Sequence, residues 1–520
     1  MTPFDASGAF RPIAEGSELR RLAVRGAGAT VFARGVTLVA QVAGTAILAR
    51  LLTPADFGVV AMVTTFSLLL ESFGLNGFTE AVIQCDELDC LTASNLFWLN
   101  LGAGLVLAIA FAASGSLLAH FYRNALVARV AVAMSVAIFF AAVSAIHLAL
   151  LKRAMRFTAV SGNDVVAYAA YAVVAIVLAS RGWGYWALVA GIVVHRLSVA
   201  IGAWWLCRWI PSSPRRTGKT GSMVRFAAHV YGRFGVRYGS QNFDKLLVGW
   251  QFNAVSLGFY KKAYDLFALS ASQLTAPLHD VALAALSRLN QDPARFRRYL
   301  VNSLGIIAFV GMAAGADLTL VGKDVVRLVL GPQWGEAGTI FTFFGPGIGI
   351  MLLHSTTGWI HLSIGRPDRW LRWTILEFVV TCLLFVIALR WGPEGIAVAW
   401  SASFCILIIP AFWYAGRPIQ LGVWPVIAAV WKYALASLLA ACACAGIVHY
   451  TVFLAVASSA GAALEGVVII SALFGALYAS AVVVLYRGYA PFRQVAGLLR
   501  ELAPRPKAID LDTAKVESIV

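Results

Sequence analysis

The sequence has little charge: only 13% of its 520 residues are Asp, Glu, Lys or Arg, whereas 60% are hydrophobic. Soluble globular domains carry about 25% charged residues, so this composition excludes an ordinary water-soluble protein. The P-loop motif GxxxxGK[ST] does not occur, which excludes ATP hydrolysis through such a loop. The seven cysteines are scattered and lie mostly in apolar runs. The sequence therefore indicates neither a disulfide framework nor a metal site, and no cofactor is predicted.

Long apolar runs are what the sequence has instead. A membrane-spanning helix needs about 20 predominantly apolar residues, and this criterion selects fourteen candidate spans. We therefore predict an all-α, multi-pass membrane protein of about fourteen transmembrane helices. The spans are approximately 30–49, 57–75, 95–119, 127–150, 164–180, 185–207, 223–249, 257–284, 302–321, 338–363, 371–389, 395–415, 425–449 and 465–486.

The Lys and Arg residues between the spans are unevenly distributed. With the N-terminus in the cytoplasm, the inside connections carry about 24 of them and the outside connections about 7. This bias predicts that both termini face the cytoplasm. The net charge of +16 then reflects membrane topology, and no nucleic-acid partner is predicted.

Two short echoes in the sequence indicate an internal repeat. Gly58 and Gly258 each open a span after a short outside loop, and Arg181-Gly182-Trp183-Gly184 has a counterpart in Arg390-Trp391-Gly392-Pro393. Parallel repeats of this kind occur in transporters. We predict two lobes built from spans 1–6 and 7–12. The predicted segments are a cytoplasmic N-terminal segment (1–29), an N-lobe (30–210), a linker (211–222), a C-lobe (223–415), two additional spans (425–486) and a cytoplasmic tail with an interfacial helix (487–520).

Residues 223–267 place charge inside predicted spans, with six Lys or Arg against the two carboxylates Asp244 and Asp265. A Lys or Arg at the centre of a membrane costs roughly 2.5–3.5 kcal/mol on insertion scales. Arg233 and Arg237 are therefore expected to face protein or water rather than lipid. The polar row recurs at every fourth residue and covers roughly 30 Å of helix. Its members are Arg225, His229, Arg233, Arg237, Gln241 and Lys245.

Four segments carry a family resemblance: the run from Leu48 to Gly58, Asp244–Gly249, Leu257–Tyr260 and the turn Gly365–Asp368. In these the chain resembles the bacterial Wzx-type polysaccharide flippases of the multidrug/oligosaccharidyl-lipid/polysaccharide exporter superfamily. The resemblance implies two lobes around a central cavity that opens alternately to either side of the bacterial inner membrane. It also implies translocation of polyprenyl-pyrophosphate-linked oligosaccharides from the cytoplasmic to the periplasmic leaflet, for cell-surface polysaccharide biosynthesis. Membrane lipids, a polysaccharide polymerase and export machinery are the partners it implies.

The pyrophosphate of such a substrate makes the cations in the spans candidates for substrate contact. Guanidinium groups bind phosphate oxygens bidentately, so Arg233 and Arg237 are the first candidates, with a structural role as the alternative. Arg34 in span 1 is a further cavity candidate, and its alternative is a buried pair with Glu71. His229 is a proton-sensitive switch or a packing residue. Lys245 and Lys262 complete the predicted substrate contacts.

Four residues are candidates for coupling or gating. Glu71 carries coupling protons if burial favours its neutral form, or makes a hydrogen bond between helices. Asp244 and Lys245 are predicted to pair with Lys261, Lys262 or Asp265 across the turn between spans 7 and 8, and such a pair would latch the outside gate. Pro346 is expected to disrupt span 10 as a hinge, with a static kink as the alternative. The coupling or gating candidates are Glu71, Asp244, Asp265 and Pro346.

Two other function classes are consistent with a polytopic protein. A drug or metabolite exporter of the same superfamily is the first, but a cation exporter favours an acidic cavity, which residues 223–267 do not provide. A membrane polymerase, ligase or glycosyltransferase is the second. Such an enzyme needs a positioned acid or base and usually a sizeable outside domain. The longest predicted outside loop, about residues 322–337, is short.

Overall fold

The computed structural model describes residues 3–5, 7–10, 17–85, 87–215, 220–290, 292–450, 460–494 and 497. Across these ranges the chain is helical, apart from two isolated β-bridges near the N-terminus. The predicted all-α class is therefore confirmed. The helices are α1 (Ser17–Leu51), α2 (Pro54–Ser72), a π-helix (Phe73–Phe78), α3 (Thr79–Gln84), α4 (Cys90–Ala113), α5 (Gly115–Phe121), α6 (Leu126–Arg153), α7 (Phe157–Ser180), α8 (Tyr185–Cys207), α9 (Thr220–Gln251), α10 (Ala254–Arg288), α11 (Pro293–Leu330), α12 (Gly335–Ser363), α13 (Pro367–Ala388), α14 (Gly392–Gly416), α15 (Val423–Tyr450) and α16 (Ala460–Tyr486).

Fourteen helices of the described residues have 19 residues or more, and each coincides largely with one predicted span. Eleven stretches in this part of the chain are long and apolar enough to cross a membrane. The protein is thus a multi-pass membrane protein. Helix α9 contributes none of these stretches, because its charged row lowers its hydropathy. The number of crossings and the side of the termini remain predictions.

The helices pack as two bundles and an appended pair. In the first bundle α2, α4 and α8 pack on α6, α7 packs on α8, and α1 packs on α7. In the second bundle α10, α11 and α14 pack on α12, and α13 packs on α14. Helices α15 and α16 pack on each other and on α11, while α9 contacts α2 and the π-helix as well as α10 and α13. This packing agrees with the predicted two lobes, and the bounds of the predicted segments stay a prediction.

Two segments outside the predicted spans have defined structure. Helix α1 begins at Ser17, inside the predicted N-terminal segment 1–29. The segment after α8 is extended and bonded to α4, since the Ser212 amide donates to Ser94 Oγ at 3.0 Å and the Arg215 amide donates to Asn95 Oδ1 at 2.9 Å. Most of the predicted interfacial helix of the tail lies outside the described residues.

Helices α2 and α10 cross at the two glycines that mark the internal repeat. A Cβ added to Gly58 would lie 1.6 Å from the carbonyl oxygen of Ala254, and one added to Gly258 would lie 2.0 Å from that of Pro54. Ala254 and Pro54 are the first residues of α10 and α2, so each glycine contacts the start of the other helix in the same way. The lobes therefore meet through backbone atoms, at positions where only glycine fits.

Helix α12 runs unbroken through Pro346, so the expectation that this residue disrupts span 10 is wrong. The neighbouring glycines instead allow α11 and α12 to pack closely: a Cβ on Gly345 would lie 2.2 Å from Thr319 Oγ1. The hydroxyl of Ser401 donates to the carbonyl of Phe343 at 2.8 Å, next to the position where proline removes a helical donor. Proline is thus accommodated within a packed helix, and a hinge at Pro346 remains untested.

Gly58→Ala is expected to destabilise the junction of the two lobes. The added methyl group would overlap the α10 backbone, and overpacking of this kind costs typically about 1–3 kcal/mol. Thermal unfolding of the detergent-solubilised protein should show a lower midpoint for this variant. Gly102→Ala is the matched control, since a Cβ on this α4 glycine meets no atom within 4 Å. Equal midpoints for the two variants would contradict the backbone contact.

Candidate functional site

A buried tryptophan extends the contact between the lobes beyond the α2–α10 crossing. Trp334, at the start of α12, is 0% exposed and lies between Phe57 and Phe259, with ring centroids 5.4 Å and 5.9 Å away. Its indole N–H donates to the carbonyl of Ala49 near the end of α1 at 2.8 Å. The Arg50 guanidinium donates to the carbonyl of Leu328 at 2.9 Å. We call this set of contacts, together with the glycine crossing, the lobe junction.

A group of charged side chains on α9 and α10 lies next to the lobe junction. Asp244 and Lys245 are 2% and 3% exposed, and the Lys245 ammonium lies 3.4 Å from Asp244 Oδ1. The Tyr260 hydroxyl donates to the other carboxylate oxygen at 2.8 Å. The ammonium also donates to the Gln241 carbonyl at 2.9 Å and lies 3.6 Å from the centroid of the Tyr264 ring. Both buried charges therefore have several partners, as burial in an apolar region requires.

The same group contains one lysine without a carboxylate partner. Lys261 pairs with Asp265 one turn along α10, at 2.5 Å. Lys262 is 9% exposed, and its ammonium lies 4.2 Å from the Phe57 ring centroid, on α2 of the other lobe. Among the described residues, no carboxylate lies within ion-pair distance of Lys262. Lys262 lies about 12 Å along α10 from Ala254, the first residue of the helix, at 1.5 Å per residue.

The predicted ion pairs across the turn between α9 and α10 are wrong. Asp244 pairs with the adjacent residue Lys245. Lys261 pairs with Asp265 of its own helix, because residues four apart on a helix lie side by side. A hydroxyl makes the connection across the turn instead, from Tyr260 to Asp244. The predicted latch of oppositely charged residues is thus replaced by a neutral donor on a buried carboxylate.

Glu71 forms an ion pair within the first lobe, and its partner is Arg196 of α8. The Arg196 Nε and Nη2 atoms lie 2.7 Å and 2.6 Å from Glu71 Oε2. The alternative prediction of a pair with Arg34 is therefore wrong. Arg34 is exposed on α1, and a role for it in substrate contact stays a prediction.

The charged row of α9 lies on a helix that is bonded to the first lobe. The hydroxyls of Tyr231 and Tyr238 each donate at 3.0 Å to α2 carbonyls, those of Leu69 and Thr65. Gly235 lies between these tyrosines and faces Leu69, so Arg237, about 200° further round the helix, points away from α2. The Arg237 side chain is exposed.

The side chains of two further predicted substrate contacts, His229 and Arg233, lie outside the described residues. Their backbone belongs to α9, so their positions in the row are those that the sequence predicts. Their roles remain predictions.

Several residues of the site were absent from the sequence-based candidates. Arg196 stands at the middle of the predicted span 185–207, and the cost of a mid-membrane charge would have identified it. Tyr238 and Tyr260 carry no comparable signal, because a tyrosine in an apolar helix is common and its hydroxyl partner depends on packing. Trp334 follows a Gly-Pro pair in a short loop, a position also typical of an interfacial tryptophan.

Comparison with known proteins gives a consistent match. Residues 47–338 match a family model described as "Polysaccharide biosynthesis protein". The chain is 22% identical over 335 residues to the succinoglycan biosynthesis transport protein ExoT of Rhizobium meliloti (strain 1021), covering 64% of this chain and 68% of that protein. It is 22% identical over 316 residues to the lipopolysaccharide biosynthesis protein WzxC of Escherichia coli (strain K12), covering 59% and 62% of the two chains. These matches confirm the resemblance carried by the sequence motifs.

The fold is similar to that of a solved transporter. The lipid II flippase MurJ, in an inward closed conformation, superposes with a TM-score of 0.71 at 15% sequence identity. The match covers 89% of this chain and 99% of that chain. At this identity the comparison establishes the fold, a two-lobed bundle of membrane helices, over almost the whole molecule.

Tyr260→Phe is expected to destabilise the protein by about 1–3 kcal/mol, because the buried Asp244 carboxylate loses one of its two hydrogen-bond partners. Denaturation of the solubilised protein, followed by intrinsic fluorescence, measures the change. Tyr185→Phe is the control, since it removes the same atom from a partly exposed ring at the start of α8. A stability equal to that of the control would mean that the Asp244 carboxylate does not depend on this hydroxyl.

Proposed function

Because the chain belongs to the polysaccharide biosynthesis protein family, we propose that it is a flippase for polyprenyl-pyrophosphate-linked oligosaccharides. It moves these substrates from the cytoplasmic to the periplasmic leaflet, supplying repeat units for a cell-surface polysaccharide. The supporting observation is the excess of cations on α9 and the first part of α10: residues 223–267 hold six Lys or Arg and two carboxylates, and both carboxylates are already paired. An anionic headgroup gains from such surroundings, whereas a cationic drug does not.

The arrangement of the charges supports alternating access. The lobe junction joins the two lobes through backbone and tryptophan contacts, at the end of α2 and α10 that the predicted topology makes periplasmic. Arg237 lies at mid-depth, since it stands 14 residues, or about 21 Å, from the junction end of α9. Lys262 lies closer to the junction. The pyrophosphate would contact Arg237 first and Lys262 as the junction opens, while the glycan crosses in the hydrated space and the prenyl chain stays in lipid.

Arg34, His229 and Arg233 complete the proposed contacts of the substrate, and Lys245 is proposed to act on the bound substrate from a distance. Lys245 is already bound to Asp244 and stacked on Tyr264, so it acts on the substrate through its charge and not by direct contact. Glu71, Asp244, Asp265 and Pro346 are proposed to take part in coupling or gating. A polysaccharide polymerase and export machinery are the proposed protein partners.

An exporter of drugs or other metabolites is the second candidate within the fold. It would favour carboxylates that are free to bind a cation, whereas Glu71, Asp244 and Asp265 are each within ion-pair distance of Arg or Lys. A polymerase is less consistent, because ExoT is named a transport protein and MurJ a flippase.

Depletion of the protein is expected to cause the lipid-linked glycan to accumulate on the cytoplasmic leaflet. The measurement is the accessibility of the glycan to a membrane-impermeant, glycan-modifying reagent in intact spheroplasts and in inverted vesicles. Restoration by the plasmid-borne gene is the control. Accumulation of unpolymerised units on the periplasmic leaflet would instead identify a polymerase and refute the flippase.

Arg237→Glu is expected to leave the protein folded and inserted but to stop polysaccharide export, because it places a carboxylate at mid-depth where the pyrophosphate must bind. Surface polymer and membrane-inserted protein are measured together. Arg181→Glu, the same change at an exposed loop position, is the matched control. Wild-type polymer levels with a stably inserted Arg237→Glu protein would remove Arg237 from the substrate path.

A further inference from the structure

The two sides of the Glu71–Arg196 ion pair are unequally accessible. The Glu71 side chain is 1% exposed, whereas the Arg196 side chain is 22% exposed. Both contacts of the guanidinium converge on a single carboxylate oxygen, Oε2. The carboxylate is therefore the buried member of the pair, and only the cation is partly open at the surface.

The guanidinium retains unused hydrogen-bonding capacity. Arginine has five N–H donors. An ion pair that only connects two helices is strongest when two parallel hydrogen bonds engage both carboxylate oxygens. Here Nε and Nη2 both contact one oxygen of Glu71, and the Arg196 side chain makes no other hydrogen bond within the described part of the chain. The remaining donors suit a second anion with several oxygens.

The pair also lies where the substrate is proposed to cross. Arg196 stands 11 residues, or about 16 Å, from the start of α8, near the depth of Arg237. Tyr238, the neighbour of Arg237 on α9, donates to the Thr65 carbonyl of α2, and Tyr231 donates to the Leu69 carbonyl of the same helix, which also carries Glu71. The pair thus borders the space between the first lobe and α9.

We propose that Arg196 binds the pyrophosphate of the lipid-linked substrate and that Glu71 is its resting partner, displaced when the substrate arrives. This inference rests on the proposed function. Phosphate oxygens accept bidentate hydrogen bonds from a guanidinium, so the incoming headgroup replaces Glu71 without leaving the cation unpaired. When the substrate is released, Glu71 Oε2 contacts the Arg196 guanidinium again and competes with rebinding of the substrate.

Removing the competitor distinguishes this exchange from a purely structural pair. In the purified full-length protein, Glu71→Gln is expected to bind polyprenyl pyrophosphate about tenfold more tightly, since tenfold corresponds to about 1.4 kcal/mol of lost competition. Arg196→Gln is expected to bind it about tenfold more weakly. A structural pair predicts a loss of stability in both variants and tighter binding in neither, an outcome that would overturn the proposal.

Two further variants keep the test informative if an unpaired charge destabilises the protein. The double exchange Glu71→Arg with Arg196→Glu retains an ion pair but places the carboxylate on the open side, so stability should be kept and binding lost. Arg196→Lys retains the charge without the planar fork and should bind with intermediate affinity. Arg181→Gln, at an exposed loop position, controls for loss of one positive charge. Undiminished binding by the double exchange would overturn the proposal.

Two further measurements test whether the bound pyrophosphate is that of a lipid and whether the proposed function is correct. Inorganic pyrophosphate should bind much more weakly than polyprenyl pyrophosphate, and equal affinity would overturn the assignment to a lipid headgroup. In proteoliposomes, Glu71→Gln should lower both the half-saturating lipid concentration and the maximal flipping rate, because release slows. If the wild type flips the lipid while the variants bind it like the wild type, only the exchange fails. If the wild type neither binds nor flips it, the proposed function fails.

Discussion

The cost of placing charge in an apolar phase governs this structure. The buried carboxylates of α2 and α9 each have a cationic partner: Asp244 pairs with Lys245 and also accepts from the Tyr260 hydroxyl, and Glu71 pairs with Arg196. The partly exposed Asp265 pairs with Lys261. Lys262 is stabilised by an aromatic ring rather than by a carboxylate. In this arrangement Glu71, Asp244 and Asp265 each have a cationic partner, whereas Lys262 has an aromatic one. A transporter of an anionic headgroup needs this combination, because its cargo brings the missing negative charge.

Helix positions followed from the sequence more completely than contacts did. Hydropathy and turn residues locate the fourteen long helices of the described chain to within a few residues at most ends, and 185–207 matches α8 at both ends. Length and apolarity are local properties, so a single sequence carries them. The largest difference is at α1, which extends beyond the apolar run toward the N-terminus. Polar residues continue a helix there, and hydropathy does not detect them.

Partners of individual charges were predicted less well, for a geometric reason. Arg34 and Arg196 are both isolated arginines of first-lobe spans, and the choice between them as partner of Glu71 depends on how α1, α2 and α8 are arranged in space. Packing of α2 and α8 on α6 decides this, and no local pattern records it. The repeated glycines are the opposite case. Gly58 and Gly258 stood out as matching positions in two halves, and the structure adds that they pack against each other.

The crossing of α2 and α10 also determines how far a rotation of one lobe moves the distant ends of its helices. The backbones of α2 and α10 touch at Gly58 and Gly258, so no side chain separates the two lobes there. If one lobe rotated about this contact, its long helices would move as rigid bodies. A rotation of about 10° would displace points 30 Å along those helices, at the far side of a bilayer core, by about 5 Å. The junction itself would stay closed during such a rotation. Small angular changes at two residues without side chains would therefore move the opposite face by several ångströms, and opening of the junction is a separate movement.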